Sequence, residues 1–369
     1  MIDYTILDKM NEICSWMEDD ISKIILKQRL LHSLTGDIQY IYDMLDKTGF
    51  SLDALSGMYE SEVRDMYEDL FPQEDLLSWM LHHRDEKIVV VGCGANGAAI
   101  KQLLDFAKLP IEAFADNYKE GNYLGHEIIK MDEIAKDAAI VISSYLYRDD
   151  MLQQLKSLGY EEKQIFYPGT NALFCPTGVS YFDEAIFKPQ EEAIFIDGGC
   201  FHGETAIKFA EWTQSYEKII AFEPDAVNYQ VCVDKFEKLG LKNVTVVQAG
   251  MWSKDAQLHL DRIGDDGSGA RITEAEGETV EVRSLDAMLG DEKVSFIKLD
   301  IEGAELEALK GASKIIQRDT PRMAICIYHK PEDIWEIPQY IKELVPEYHM
   351  AVRHYMTYLY DTVLYCWKD

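Results

Sequence analysis

Two glycine-rich loops, each directly after a short apolar run, hold the residues whose types and spacing could do chemistry. In the first, Gly92-Cys93-Gly94-Ala95-Asn96-Gly97 comes after Lys87-Ile88-Val89-Val90-Val91, with Asp116 about twenty residues further on. Glycines in such a loop let the backbone turn sharply and approach a ligand, a helix N-terminus offers unpaired N–H groups, and a carboxylate after the second strand can hold ribose hydroxyls. Gly92, Gly94, Gly97 and Asp116 therefore form a possible nucleotide site, for NAD or a nucleotide-sugar. Tight strand-to-helix packing alone would also demand these glycines. In the second loop, Phe195-Ile196-Asp197-Gly198-Gly199-Cys200-Phe201-His202-Gly203 is succeeded by Ala221-Phe222-Glu223-Pro224-Asp225, so an acid closes each apolar run. S-adenosylmethionine has no phosphate but carries an ammonium and a sulfonium, so carboxylates among glycines suit it. Asp197, Gly199, His202 and Gly203 are the expected cofactor loop, and Glu223 can accept two hydrogen bonds from a ribose diol.

A third constellation, Phe296-Ile297-Lys298-Leu299-Asp300-Ile301-Glu302-Gly303-Ala304-Glu305, concentrates acids at the end of another apolar run. In open α/β sheets ligands sit beyond the carboxyl ends of the strands, which places Asp300 in the same crevice as Asp197 and Glu223. Lys298 and Glu305, close in sequence and opposite in charge, are expected to pair with each other. Transfer of a methyl group from a sulfonium is an in-line displacement in which positioning does much of the work, and an alcohol acceptor must also lose a proton. His329, after the next apolar run, is the first candidate base, with His202, His354 and Asp300 behind it. Asp300, Glu302 and His329 could converge on a metal, but no local ligand spacing such as H-E-x-x-H occurs, and no metal is expected.

The elements that must position these groups are given by periodicity. Residues 1–85 carry apolar positions at helical spacing and are expected to form a helical segment that packs on the rest or makes a dimer contact. Over 86–170 short apolar runs alternate with helical stretches, which predicts a small Rossmann-like α/β domain with a parallel sheet. Residues 171–190, flanked and interrupted by Pro168, Pro176 and Pro189, are read as a linker. From 191 to 369 the alternation resumes, and seven strands are predicted, the last two (His349 to His354, Thr362 to Trp367) joined by a short loop as an antiparallel edge hairpin. That ending suits a class I methyltransferase sheet. The glycine-rich stretch between Leu258 and Val282, with Gly264, Gly267, Gly269 and Gly277, predicts an extra hairpin and a mobile loop.

These residues resemble the FkbM-type S-adenosylmethionine-dependent methyltransferases. The matching stretches are Ile196-Asp197-Gly198-Gly199 with Gly203, Phe222-Glu223-Pro224, Ile297 to Gly311, Ala324 to Trp335, and Arg353-His354-Tyr355 with Asp361-Thr362-Val363-Leu364-Tyr365. They run through nearly all of the second alternation, and Lys298-x-Asp300-x-Glu302-Gly303-x-Glu305 is the most diagnostic block. The resemblance implies a Rossmann-like methyltransferase domain and transfer to an oxygen, commonly of a sugar or glycan. The family's more common Gly-Ala-Asn-x-Gly is here Gly199-Cys200-Phe201-His202-Gly203, which removes any contact made by that Asn. Asp116-Asn117 with Gly121 and Gly125 also looks like the small nucleotide-binding domain that precedes some sugar acyltransferases.

Composition narrows the partners. With 36 Lys and Arg against 66 Asp and Glu, the net charge of −30 repels phosphate backbones and anionic lipid, so neither nucleic acid nor membrane is expected. Seven scattered cysteines without a C-x-x-C pair, and no apolar stretch near 18 residues, predict a reduced, cytoplasmic protein. The expectation is O-methylation of a small-molecule or glycan acceptor, with possible homo-oligomers through the N-terminal helices. The competing readings are an NAD-dependent oxidoreductase using Gly92, Gly94, Gly97 and Asp116, and a non-catalytic nucleotide-binding protein.

Overall fold

The computed structural model describes residues 4–37, 39–48, 79, 83–106, 108–144, 147–167, 181–213, 215–263, 269–273, 277–355 and 361–368. The chain forms two compact units, Ile38–Val179 with Tyr355–Leu359, and Met1–Asp37 with Ser180–His354 and Tyr360–Asp369. The N-terminal segment is divided between them. Helices α1 (Tyr4–Ser15) and α2 (Asp20–Thr35) belong to the larger unit, and α3 (Gln39–Lys47) to the smaller. Residues 49–78 lie outside the described residues. Helix α2 opens on Asp19, whose carboxylate accepts the Ser22 N–H at 2.7 Å, and closes on Gly36 in a left-handed conformation. Its buried face is taken up within its own chain: Val352 N–H donates to Ser22 Oγ at 2.8 Å, and Arg353 pairs with Asp19 at 2.9 Å.

The smaller unit has β1 (Ile88–Val91), α4 (Ala95–Phe106), β2 (Ile111–Ala115), β3 (Gly121–Tyr123), β4 (His126–Ile129), β5 (Ala139–Ile142), α5 (Arg148–Ser157) and β6 (Ile165–Phe166). They make a six-stranded sheet in the order β3-β4-β2-β1-β5-β6, parallel except for β3 against β4. Successive side chains of β1 enter opposite cores: Ile88 and Val90 pack with Ile100 and Leu104 of α4, Val89 and Val91 with Leu155 of α5. That two-sided burial is why β1 reads as a continuous apolar run. The β3–β4 hairpin is short and half-exposed, and its polar sequence carries no strand signal.

The larger unit continues with β7 (Ala193–Gly198), α6 (Glu204–Thr213), β8 (Tyr216–Phe222), α7 (Ala226–Leu239), β9 (Val244–Val247), β10 (Gly250–Met251), β11 (Ala256–Ile263), β12 (Gly269–Thr273) and β13 (Glu278–Arg283). Then come α8 (Leu285–Leu289), β14 (Phe296–Leu299), α9 (Glu305–Lys310), α10 (Ser313–Asp319), β15 (Arg322–Cys326), α11 (Asp333–Leu344), β16 (His349–His354) and β17 (Thr362–Trp367). Seven of these strands form one sheet in the order β16-β17-β15-β14-β7-β8-β9, with β17 antiparallel to both neighbours. The chain starts at β7 and builds outward to both sides, so the crevice beyond β7 and β14 is a topological switch point. The expected extra hairpin is part of a separate four-stranded sheet, β10-β13-β11-β12, while Gly264 and Gly267 lie outside the described residues.

Of the span 171–190, expected as a linker, the described half is not one. Residues 171–180 lie outside the described residues, and from Tyr181 onward the segment enters the core. Tyr181, Phe182 and Phe187 are buried, Phe182 and Phe187 against Phe296 with ring centroids 5.7 and 5.3 Å away, beside a Phe195–Phe209 stack at 4.2 Å. Prolines and the lack of a period hide these anchors, because an irregular segment can bury side chains without repeating. No helix among the described residues is long and apolar enough to cross a membrane.

Candidate functional site

The second glycine loop leaves β7 and enters α6, and its shape depends on two glycines. Gly199 has φ +74°, and a Cβ there would run into the Asp300 carbonyl oxygen. Gly203 has φ +85°, and a Cβ would lie 2.5 Å from the Phe236 ring. The loop is fastened from beneath by Lys298 of β14. Its ammonium, almost wholly buried, meets Asp197 Oδ1 at 3.1 Å and donates to the carbonyls of Gly198 (3.1 Å) and Gly199 (2.7 Å). Burial opposes the Lys298 charge, but Asp197 and then Asp300 outweigh it and raise its pKa. The pairing of Lys298 with Glu305 expected from sequence is therefore replaced: strand register sets Lys298 directly opposite Asp197.

Glu223, at the carboxyl end of β8, is buried and holds the same loop from the side. Phe201 N–H donates to one oxygen at 3.0 Å and Asp225 N–H to the other at 2.9 Å. Each oxygen keeps a further lone pair. Burial raises the carboxyl to about 7, against the lowering by those two backbone donors. His202 stacks on Phe201 at 3.8 Å and places Nε2 3.2 Å from Asn228 Oδ1. Cys200 and Cys232 are buried with sulfurs 3.5 Å apart, and a free thiol of either fits its role as packing.

Asp300 comes directly after β14 and is braced by two phenols, Tyr181 donating to Oδ2 at 2.8 Å and Tyr328 to Oδ1 at 3.1 Å. Burial would raise its pKa, but Lys298, His329 and these phenols outweigh it and hold the carboxyl below its ordinary range. Tyr181 carries no sequence signal for such a role, since it succeeds an irregular proline-bearing stretch. Tyr328 lies within the Ala324 to Trp335 stretch, where the adjacent His329 is the more conspicuous residue. Glu302 occupies a left-handed conformation at φ +55°, unusual for a residue with a side chain, and the turn continues through Gly303 at φ +92°.

His329 is enclosed by these acids. Nδ1 lies 2.9 Å from Glu305 Oε1, and Nε2 lies 3.4 Å from Asp300 Oδ1 and 3.6 Å from Glu302 Oε2. Burial works against charge on the ring, yet Glu305, Asp300 and Glu302 prevail and push it up to about 9. At pH 7 only roughly one ring in a hundred is then unprotonated. His329 in this state donates rather than accepts, which physically disfavours the base role that its sequence position suggests. His354 is elsewhere engaged, with Nδ1 2.8 Å from Thr362 Oγ1.

In the smaller unit, Gly92 and Gly97 are required by packing: an added Cβ would overlap Ser143 Oγ or the Gly92 carbonyl, whereas Gly94 faces open space. Asp116 accepts N–H bonds from Tyr118 (2.9 Å), Lys119 (3.1 Å) and Cys93 (3.2 Å), so its carboxylate ties its own turn to the glycine loop. Burial raises and these three donors lower its pKa, with a net lowering. Of the tyrosines near the C-terminus, Tyr365 is core, while Tyr358 and Tyr360 lie outside the described residues.

Residues 198–359 match the family model described as Methyltransferase FkbM domain, and residues 84–166 the model described as C2185-like, N-terminal. No curated protein matches the sequence. Among solved structures, the chain is similar to methyltransferase FkbM from Methylobacillus flagellatus KT, at 18% identity over 85% of this chain and 98% of that one, TM-score 0.45. It is also similar to an rRNA methylase from Streptococcus thermophilus (16% identity, 49% of this chain, 89% of that one, TM-score 0.34). A SAM-dependent methyltransferase from Aquifex aeolicus matches at 17% identity over 48% of this chain and 82% of that one, TM-score 0.30.

Proposed function

Residues 198–359 form a methyltransferase domain of the FkbM family, and from that premise we propose that the chain methylates a hydroxyl of a saccharide or nucleotide-linked sugar. The cofactor of this domain is S-adenosylmethionine, which when bound supplies a methyl group made electrophilic by its sulfonium. The residues present fit it: Gly199 and Gly203 let the loop turn tightly against Asp300 and Phe236 at positive φ, and Glu223 retains one free lone pair on each oxygen. Asp197, locked to Lys298, would set the loop, and Glu223 would take the ribose diol. Asp300 would face the methionine end and the acceptor.

The observation that carries the choice of a hydroxyl acceptor is the juxtaposition of ionised Asp300 with Glu302 and the charged His329. Such a set accepts and donates hydrogen bonds at once, as a polyol requires. In the overall change the sulfur–methyl bond breaks, the oxygen–methyl bond forms, and the hydroxyl proton must leave. Once the oxygen is alkylated that proton is strongly acidic, so the weakly basic Asp300 suffices to take it, without His329.

The test begins with cofactor binding. Glu223 titrates near 7, and its ionised form is the one with lone pairs for both ribose hydroxyls. Affinity for S-adenosylmethionine is therefore expected in full above about pH 7 and to fall as pH drops below it, by up to about tenfold per unit. Calorimetric titration between pH 5.5 and 8.5 reads this directly. Glu223→Gln should bind weakly at every pH and lose the slope; equal affinity and slope in both proteins would remove Glu223 from the ribose. A panel of saccharides and nucleotide-sugars, scored by methyl transfer, then tests the acceptor class.

A further inference from the structure

We infer that Asp300, Glu302 and His329 form a binding site for one hard divalent cation of the Mg²⁺ or Mn²⁺ class, oriented by Glu305. The inference deepens the proposed transfer to a hydroxyl and rests on that reading only for its purpose, not for its geometry.

The first observation is the ring. The His329 side chain is only 8% exposed, and neither ring nitrogen makes a hydrogen bond of good geometry among the described residues. It faces two carboxylate oxygens, Asp300 Oδ1 at 3.4 Å and Glu302 Oε2 at 3.6 Å. These separations are long for a charged hydrogen bond, which lies near 2.7–2.9 Å. They approach the spacing of neighbouring donors around an ion held at roughly 2.0–2.3 Å.

The second observation is on the other side of the ring. Nδ1 meets the fully buried Glu305 at 2.9 Å, and Glu305 is itself anchored by the Ile301 N–H at 2.9 Å. A carboxylate behind one ring nitrogen, with the other nitrogen turned toward acids, is the arrangement that fixes the tautomer of a metal-bound histidine. Donor atoms of Asp300, Glu305 and His329 all lie within 4.8 Å of one another, and Glu302 joins them from the turn, its Oε2 3.6 Å from Nε2.

Charge points the same way. Three carboxylates share one imidazole, while the nearby Lys298 is engaged by Asp197 and two glycine carbonyls. A dication replacing the Nε2 proton would balance the cluster. A donor set of carboxylates with a single imidazole favours hard ions over thiophilic ones. The remaining positions would take water or two adjacent hydroxyls of a saccharide. The sequence contains these ligands but no local motif for them, because the histidine arrives from a different strand.

The experiment uses full-length protein stripped with EDTA and dialysed, titrated with MnCl₂, free Mn²⁺ being read by electron paramagnetic resonance. One Mn²⁺ per chain is expected. Glu302→Gln, at a partly exposed turn, is expected to weaken it at least tenfold while melting like the wild type. Glu305→Gln, which leaves every proposed ligand in place, is expected to weaken it by roughly 10- to 100-fold. Absence of Mn²⁺ binding by folded wild type at millimolar concentration overturns the inference, as does unchanged affinity in Glu302→Gln. Calorimetry of S-adenosylmethionine with the metal-free protein separates this failure from failure of the methyltransferase reading.

Discussion

Lys298→Met is expected to abolish S-adenosylmethionine binding and to lower the melting temperature of the larger unit by on the order of 10 °C. The wild-type ammonium has three partners, all on the segment from β7 into the cofactor loop: Asp197 Oδ1, the Gly198 carbonyl and the Gly199 carbonyl. Methionine keeps most of the volume but no donor. Asp197, with no exposed surface, is then left as an uncompensated charge, and two carbonyls lose their bonds. Breaking a buried pair in this way costs about 3–5 kcal/mol. In a unit of this size each kcal/mol moves the midpoint by roughly 2–4 °C. A companion variant, Asp197→Leu with Lys298→Met, removes both charges and should recover much of the stability, since the desolvation penalty disappears with the pair. It should not recover cofactor binding. Differential scanning calorimetry with and without cofactor measures both quantities; a single variant that melts and binds like wild type would show that the loop does not depend on Lys298.

This pair marks the boundary of what is legible in the sequence. Strand periodicity and glycine placement locate the β7 and β14 loops and give both ends of β16 and β17 correctly, because those strands are buried. A partner across a sheet is another matter. Lys298 and Asp197 are 101 positions apart and meet through the β7–β14 register, whereas Glu305 is near in sequence and so looks like the partner. Glu305 instead lies at the start of α9, where it accepts the Ile301 N–H and backs His329. The bracing of Asp300 by Tyr181 is equally invisible, since it comes from an irregular segment before β7. The charge state of His329 also needs the fold. A histidine after a strand reads as a base, and only the enclosing carboxylates make it a cation.

In the metal-free protein, where His329 is charged, the second large effect falls on its neighbour: Asp300→Ala is expected to lower the turnover number about 10²- to 10⁴-fold while changing the affinity for S-adenosylmethionine much less. Two phenols and the His329 ring converge on Asp300, so its carboxylate is ionised and fixed in direction before any substrate arrives. The main holds on the cofactor loop, by Lys298 and Glu223, do not pass through its side chain. Removing the carboxylate therefore deprives the acceptor hydroxyl of its proton acceptor and leaves the cradle standing. Tyr328→Phe offers a graded control. It deletes one of the bonds that aim Asp300 without touching the carboxylate, and should lose only a few-fold in turnover with unchanged cofactor affinity. The comparison is made at saturating cofactor with whichever saccharide the panel identifies, kcat and the cofactor dissociation constant being determined separately. Were Asp300→Ala to lose cofactor affinity in proportion to rate, Asp300 would be a cofactor ligand alone, and the proton would have to leave by another route.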